Sequence, residues 1–379
     1  MTKQMNIDTN IISKTKIYKI ASLFSGCGGL DLGFVGGFEH FSKKIPKLPF
    51  EIVFANDIDK DAVSTYKENK HLLRHENILH ADITTVNPDN IPDFDILTAG
   101  FPCQPFSNAG LRKGVNDSRG TLFEEVFRFI SVKQPKIVVL ENVRGILSSK
   151  MEDGTKVSDE IINRLKRVQC KNNLTVEYNV SEPMLIKASD VGVPQNRYRV
   201  IIIAIRKDIG YAPKKDDIYN NSINFKEEDL TVSKVLDYHP FLPNVNDIWD
   251  LSPQAKKLVP FIKRSWKDIP YEHLPERMKK IRNNMKKYRS PNFYRRFGLS
   301  EINGTITASA QPENCGILHP LKDRRYNVRE IARIQSFPDN FTFAKVSIQN
   351  KYKVIGNAVP PILAYSIAKT CLDILNKRL

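Results

Sequence analysis

Short apolar, largely β-branched runs recur along the first 206 residues: Ile17 to Phe24, Glu51 to Ala55, Asp95 to Ala99, Lys136 to Leu140 and Val200 to Ile205. Each is strand-length, and most run straight into glycine, asparagine or an acid, so they predict strands, with the Asp95 to Ala99 run buried in a parallel sheet. Helical periodicity lies between them at Lys60 to Asn69 and Thr121 to Ser131. It returns at Val328 to Gln335, stops before Pro338, and resumes from Pro361 to Asn376. Strands alternating with helices predict an α/β fold. From Lys207 to about Asn303 the chain turns polar, irregular and basic, which predicts a second domain. Met1 to Lys16 is polar, lacks the apolar centre of a signal peptide, and reads as a loose tail.

Composition narrows the class. Hydrophobic residues make up 41% of 379, and no run reads as a bilayer span, so the expectation is a soluble protein without membrane contact. Five widely spaced cysteines (Cys27, Cys103, Cys170, Cys315, Cys371) contain no Cys-x-x-Cys pair, which argues for a reducing cytoplasm and against a disulfide framework or a zinc site. His71 and His75 have the spacing of a metal pair on a helix, but no third ligand completes the set, and no metal is expected. The net charge of +16 is uneven: from Lys256 to Arg296 fourteen Lys or Arg face three acids. Trp266, Tyr271, Tyr288, Phe293 and Tyr294 are interleaved there, which favours a phosphate-backbone surface over a solvated helix face.

Candidate chemistry sits at strand ends. Gly100-Phe101-Pro102-Cys103-Gln104-Pro105-Phe106-Ser107 follows the buried strand, so Cys103 lies in the turn where open α/β sheets bind ligands; an inert buried cysteine is the competing reading. The first strand runs into Phe24-Ser25-Gly26-Cys27-Gly28-Gly29-Leu30-Asp31, a glycine-rich turn that lets a cofactor approach the backbone. Asp57 ends the second strand, where an acid can accept from ribose hydroxyls, and the helix cap there is assigned to Asp59. Asp82 is placed to read an adenine amine. Glu141 ends the next strand and brings a carboxylate to the crevice that holds the thiol. Gln195, Arg197 and Arg199 share one face of an extended segment. Asn108 to Arg119, with two glycines, reads as a mobile loop.

These blocks, with Arg329-Glu330 through Pro338-Asp339 and Gly356-Asn357-Ala358-Val359-Pro360, stand in one order across nearly the whole chain, and the sequence resembles the bacterial C5-cytosine-specific DNA methyltransferases of restriction-modification systems. The resemblance implies a Rossmann-like S-adenosylmethionine-dependent sheet with helices on both faces, and a smaller irregular target-recognition domain. Residues 1–226 would form the first part of the catalytic domain, 227–326 the recognition domain, and 327–379 the hinge and returning part. It implies S-adenosylmethionine as methyl donor, held by Phe24, Ser25, Gly26, Cys27, Gly28, Gly29 and Leu30, by Asp57 and Ile58, by Asp82 and Ile83, and by Pro102, Leu122, Asn357 and Ala358. Two positions depart from the family: Asp57, where relatives usually carry Glu, and Ile58, where an aromatic often stacks on adenine.

The resemblance also assigns chemistry. Cys103 would add to C6 of a cytosine, Glu141 would bond N3 and the exocyclic amine, Arg199 would hold O2, and Arg197 or Arg199 would favour the thiolate. Duplex DNA would be contacted by Gln104, Ser107, Arg119, Lys279, Lys280, Arg282, Lys286, Lys287, Arg295, Arg296 and Thr307. The implied setting is a monomer in a bacterial cytoplasm, on nucleoid DNA beside a cognate restriction endonuclease. An RNA cytosine methyltransferase on the same scaffold is the nearest alternative, opposed by the long basic region. A non-catalytic DNA-binding relative is opposed by intact Cys103, Glu141 and Arg199.

Overall fold

Strand β1 (Tyr18–Leu23) lies near the middle of a nine-stranded sheet, and the computed structural model describes residues 16–102, 122–151, 153–171, 174–284, 293–308 and 316–377. Helix α1 (Gly29–Val35) follows the glycine turn and leads into a hairpin of β2 (Gly36–His40) and β3 (Lys43–Lys47). Next come β4 (Phe50–Asp57), α2 (Lys60–Glu68), the short α3 (Lys70–Leu73), β5 (Leu79–His80) and β6 (Ile96–Ala99). Beyond 121 the chain forms α4 (Leu122–Lys133), β7 (Ile137–Val143), α5 (Val157–Lys166), β8 (Arg167–Gln169), β9 (Thr175–Val180) and β10 (Met184–Lys187). The two-residue β11 (Gln195–Asn196) and the long β12 (Tyr198–Arg206) complete this part. Strand order is β5-β4-β1-β6-β7-β12-β9-β8, with β10 paired to β12. Strands β5, β4, β1, β6 and β7 are parallel, and β12 returns antiparallel against β7.

Neighbouring residues of each strand bury on opposite faces, as the period of two requires, and an irregularity in the pairing of β4 after Ile52 shifts its alternation by one. Ile20, Ile52, Ile96, Val139 and Ile203 join α1 on one side, while Leu23, Phe54, Leu97, Leu140 and Ile202 meet α4 and α5 on the other. This is the expected α/β fold with helices on both faces of the sheet.

Local signals explain the element starts. The Asp59 carboxylate accepts from the Asp61 and Ala62 amides at the head of α2, the cap read from the sequence. Past α6 (Lys215–Asn220) and α7 (Val232–Leu236), the irregular region holds α8 (Pro253–Leu258), α9 (Glu276–Asn283), β13 (Arg295–Arg296), β14 (Asn303–Gly304) and β15 (Ile317–Leu318). A third hydrophobic cluster from Leu251 to Leu318 lies within the expected 227–326 segment, while Val232 and Val235 of α7 join the first cluster. Trp266, Phe293 and Tyr294 are buried in that third cluster. The aromatic interleaving of the basic run is therefore largely a small core; Tyr271 stays on the surface, at 46% exposed.

The chain then returns to the sheet through α10 (Val328–Ile334), α11 (Ile348–Asn357) and α12 (Pro361–Leu375). Ile348–Leu375 is long and apolar enough to cross a membrane by length and composition, a run the sequence reading passed over. Its most apolar 18 residues are 78% buried inside the molecule and the run is interrupted between Asn357 and Pro361, so α12 serves as a core helix. All seven residues of α1 are buried, because α12 lies directly on it. Gly29 and Gly33 make this possible: a Cβ on Gly29 would strike the Val359 carbonyl, and one on Gly33 would sit 2.5 Å from the Pro361 carbonyl and 2.7 Å from the Tyr365 amide.

Gly33→Ala is therefore expected to destabilise the fold by about 3 kcal/mol or more, since backbone cannot yield as a side chain can. Gly210→Ala, whose Cβ would meet only Ile374 at 3.8 Å, is the control and should unfold in denaturant near the wild-type midpoint.

Candidate active site

Parallel register turns four distant segments into one row. Leu23 is level with Asn56 of β4 and Ala99 of β6, and Ala99 with Leu140 of β7. One residue further on stand Phe24, Asp57, Gly100 and Glu141, at the carboxyl ends of neighbouring strands where an open α/β sheet offers its crevice. All four line a cavity of about 790 Å³, closed on the far side by residues 305–308 and by Gly356 to Val359.

One half of the cavity is the glycine turn. Phe24 and Gly26 are left-handed (φ 56° and 57°), and nothing lies within 4 Å of a Cβ on Gly26, so the backbone is open to a ligand. The Gly26 amide donates to Asp57 Oδ2 at 2.7 Å, and the Asp59 amide to Oδ1 at 2.8 Å. Burial pushes the Asp57 carboxyl up, and these amides pull it partly back. Asp82 and Ile83 line the next wall with Ile58, which is 64% exposed. The Cys27 thiol is buried against the Val354 carbonyl and is pushed up to about 12 by burial. Ser25, Leu30, Pro102, Leu122, Asn357 and Ala358 also line the cavity. Gly28 and Gly29 stand behind that lining. The Gly28 Cβ position (φ 90°) abuts Leu73, and that of Gly29 abuts the start of α12, so both glycines serve packing. Apolar Phe24 and Leu30 with the acids Asp57 and Asp82 suit a nucleoside carrying a positively charged chain, the character of S-adenosylmethionine.

The other half is built on β7 and β12. Arg199 Nε meets Glu141 Oε1 at 2.7 Å with both side chains 10% exposed. The antiparallel register explains the pairing: Glu141 opposes Ile201, so Arg199 is its diagonal neighbour on the same face. Burial pushes the Glu141 carboxyl up and Arg199 pulls it down; the net direction is up. Asn142 Nδ2 donates to the Phe101 carbonyl at 3.0 Å and so holds the turn that leads to Cys103. Cys103, Gln104, Ser107, the Asn108 to Arg119 loop with Arg119, Lys286 and Lys287 lie outside the described residues. Arg197, 1% exposed, donates to the carbonyls of Ile306 (2.7 Å), Gly356 (2.9 Å) and Ala358 (3.3 Å), which gives its guanidinium a bracing job at the back wall.

The sequence model for C-5 cytosine-specific DNA methylases matches residues 18–373. The chain belongs to that family. It is 32% identical to the Type II methyltransferase M.NgoFVII of Neisseria gonorrhoeae over 382 residues, covering 99% of this chain and 91% of the relative. It is likewise 32% identical to M.FnuDI of Fusobacterium nucleatum over 386 residues, covering 95% and 96%. Among solved structures, a prophage-encoded E. coli protein named as a DNA modification methyltransferase superposes with TM-score 0.63 at 24% identity, covering 95% of this chain and 99% of that one. Dnmt2 of S. pombe superposes with TM-score 0.60 at 17% identity over 95% and 99%. These two likenesses concern the fold.

In this methylase several of the residues expected at DNA have other partners within the chain. Arg296 is 5% exposed and bonds the carbonyls of Ile262, His319 and Lys322 and the Asp323 carboxylate. Arg282 lies over Trp266 and donates to the carbonyls of Ile269, Trp266 and Lys267. Both arginines satisfy acceptors that irregular backbone leaves open. Arg295 covers Phe297 and pairs with Glu301, and Lys279 pairs with Glu276 at 3.0 Å. Lys280 is exposed. Thr307 lines the cavity instead of the basic face. What the sequence reading missed is Gln335: its Nε2 reaches the Ile355 and Ala358 carbonyls at 2.8 and 3.0 Å, and its Oε1 accepts from Gln195. Its place in a recurring block was the available signal.

The raised Glu141 carboxyl carries a sign. A folded value above the ordinary 4.5 means that the native state holds the proton more tightly than the unfolded chain. That contribution is complete below 4.5 and is lost as pH rises through the raised value. Relative to Glu141→Gln, the wild type should therefore lose unfolding free energy over this window and then level off, as denaturant titrations at stepped pH would record; a gain with rising pH contradicts the burial.

Proposed function

We propose that this methylase works through a covalent adduct between the Cys103 thiolate and C6 of a cytosine extruded from duplex DNA. The observation behind the reading is the buried Glu141–Arg199 pair on the wall where Gly100 to Pro102 lead to Cys103. Cytosine C5 is a poor nucleophile; addition of sulfur at C6 makes the ring an enamine with electron density at C5. Glu141, whose carboxyl burial pushes above its ordinary range, gives a proton to N3 as the bond to C6 forms. Arg199 donates to O2 and holds the ring in plane with Glu141. Phe24, Gly26, Asp57 and Asp82 would hold S-adenosylmethionine, which would supply an electrophilic methyl group to C5 and leave as S-adenosylhomocysteine. A base, water being sufficient, then removes the C5 proton, the C5=C6 double bond re-forms as the thiolate leaves, and N3 returns its proton to Glu141. A base stacked in a duplex cannot meet both walls of the cavity, so extrusion is part of the reading.

We further infer a bacterial enzyme acting as a monomer on cytoplasmic DNA beside a cognate endonuclease, a reading supported by the Type II names of its relatives. Residues 227–326 would choose the target sequence.

Cys103→Ser should reduce methyl incorporation into plasmid DNA below detection while the protein still binds S-adenosylmethionine in a calorimetric titration; substantial turnover by the purified variant refutes the adduct. Glu141→Gln should lower turnover about 10²–10⁴-fold, the range of a lost general acid. Duplex DNA substituted with 5-fluorocytosine should yield a denaturant-stable, Cys103-dependent complex. Methylation of transfer RNA but not of duplex DNA would favour the RNA alternative.

A further inference from the structure

At the lip of the cavity the antiparallel ladder places an exposed aromatic ring between two cations. Val143 opposes Arg199 in the last rung of the β7–β12 ladder, and just beyond it, at the head of a 3₁₀ turn, the Arg144 guanidinium lies over the Tyr198 ring at 5.8 Å. On its other side Tyr198 directly opposes Lys187 of β10. Directly opposed residues share a face of the sheet, so Lys187 flanks Tyr198 on β10 while Arg144 reaches over the ring from beyond the end of β7, and the three form a row. Tyr198 is 40% exposed and Arg144 lies on the surface, with no acid in ion-pair distance among the described residues. Lys187 meets only half-exposed Asp190, at 3.5 Å, a pair that water and salt weaken readily.

The row gathers positive charge around one exposed ring. Its position is specific. Val143, 45% exposed, and Arg199 line the cavity and are the chain neighbours of Arg144 and Tyr198. A cytosine turned into that cavity stays attached through the phosphates on either side, which must come to rest at the lip. A guanidinium held by an aromatic face presents its N–H fork to a phosphate with little further ordering, and an ammonium across the ring can take the next one.

We propose that Arg144, Tyr198 and Lys187 form a clamp for the sugar-phosphate backbone of the strand that carries the extruded base. The proposal rests on the duplex-DNA reading above and adds a set of residues that the basic run from Lys256 to Arg296 does not contain. Arg144 and Lys187 bind phosphate, and Tyr198 is a positioning residue that acts through Arg144.

The test is the salt dependence of binding to a short duplex of arbitrary sequence, read by fluorescence anisotropy. Arg144→Gln with Lys187→Gln should make the log–log slope shallower by up to about 2, at about 0.9 for each phosphate that is no longer neutralised, and weaken binding on the order of tenfold at low salt. All sequences should be affected alike, because backbone contacts carry no base information. Tyr198→Phe keeps the ring and should keep the wild-type slope; Tyr198→Ala should lose part of it. Thermal unfolding and S-adenosylmethionine affinity of each variant, expected at wild-type values, separate loss of the clamp from loss of the fold. An unchanged slope in a double variant made from an enzyme that methylates duplex DNA overturns the clamp and leaves the function standing. Wild-type protein that neither binds nor methylates duplex DNA overturns both.

Discussion

Arg197 donates to backbone carbonyls 109 and 159 residues further along the chain, and the back wall of the site depends on those bonds. Two residues earlier, Gln195 accepts from the Ile306 amide at 2.8 Å and donates to Gln335, whose amide in turn holds the Ile355 and Ala358 carbonyls. Four segments distant in sequence meet at these three side chains, and the only ladder among them in the described residues is the two-residue pairing of β11 with β14. Irregular backbone brought into a core must satisfy its polar groups, and each carbonyl left bare would cost about 1–3 kcal/mol. The long guanidinium and the two amides do this where β-ladders cannot reach.

The network decides what faces the ligand. It holds residues 305–308 and Gly356 to Ala358 opposite the row of strand ends, while the small residues of α1 let α12 come close enough to support them. From α11, Lys353 pairs with Asp59 and Asn350 with Asp61 at 2.6 Å each, so the head of α2 is tied to the same returning segment that brings Asn357 to the cavity. The consequence for chemistry is a largely buried ion pair: Glu141 and Arg199 are each 10% exposed, and a carboxyl there gives up its proton less readily than one in solvent.

The strands and the strand-end motifs were legible because short β-branched runs have few other uses, and because Phe24, Asp57, Gly100 and Glu141 each end such a run. Register was not legible, so nothing in the sequence told that these four form one row, or that Tyr198 would sit between Arg144 and Lys187. Charge misled most. Arg282 and Arg296 look like parts of a DNA surface, yet they bond carbonyls, as do Arg197, Arg329 and Arg333 elsewhere in the chain. A net charge of +16 therefore overstates the cations free to meet phosphate. The same letters serve both jobs, and only the presence of unpaired backbone nearby distinguishes them. Gly28 and Gly29 misled similarly: a motif glycine can be required by a neighbouring helix instead of by a ligand.

That three side chains hold the back wall as one unit can be measured directly by native-state hydrogen exchange of Arg197→Met against wild type. Loss of the guanidinium should release the Ile306 and Ala358 amides together, while the ladder among β1, β4, β6 and β7 keeps its protection. If the Ile306 amide exchanges faster and Ala358 stays at its wild-type rate, the two segments are held independently and the shared anchor is wrong.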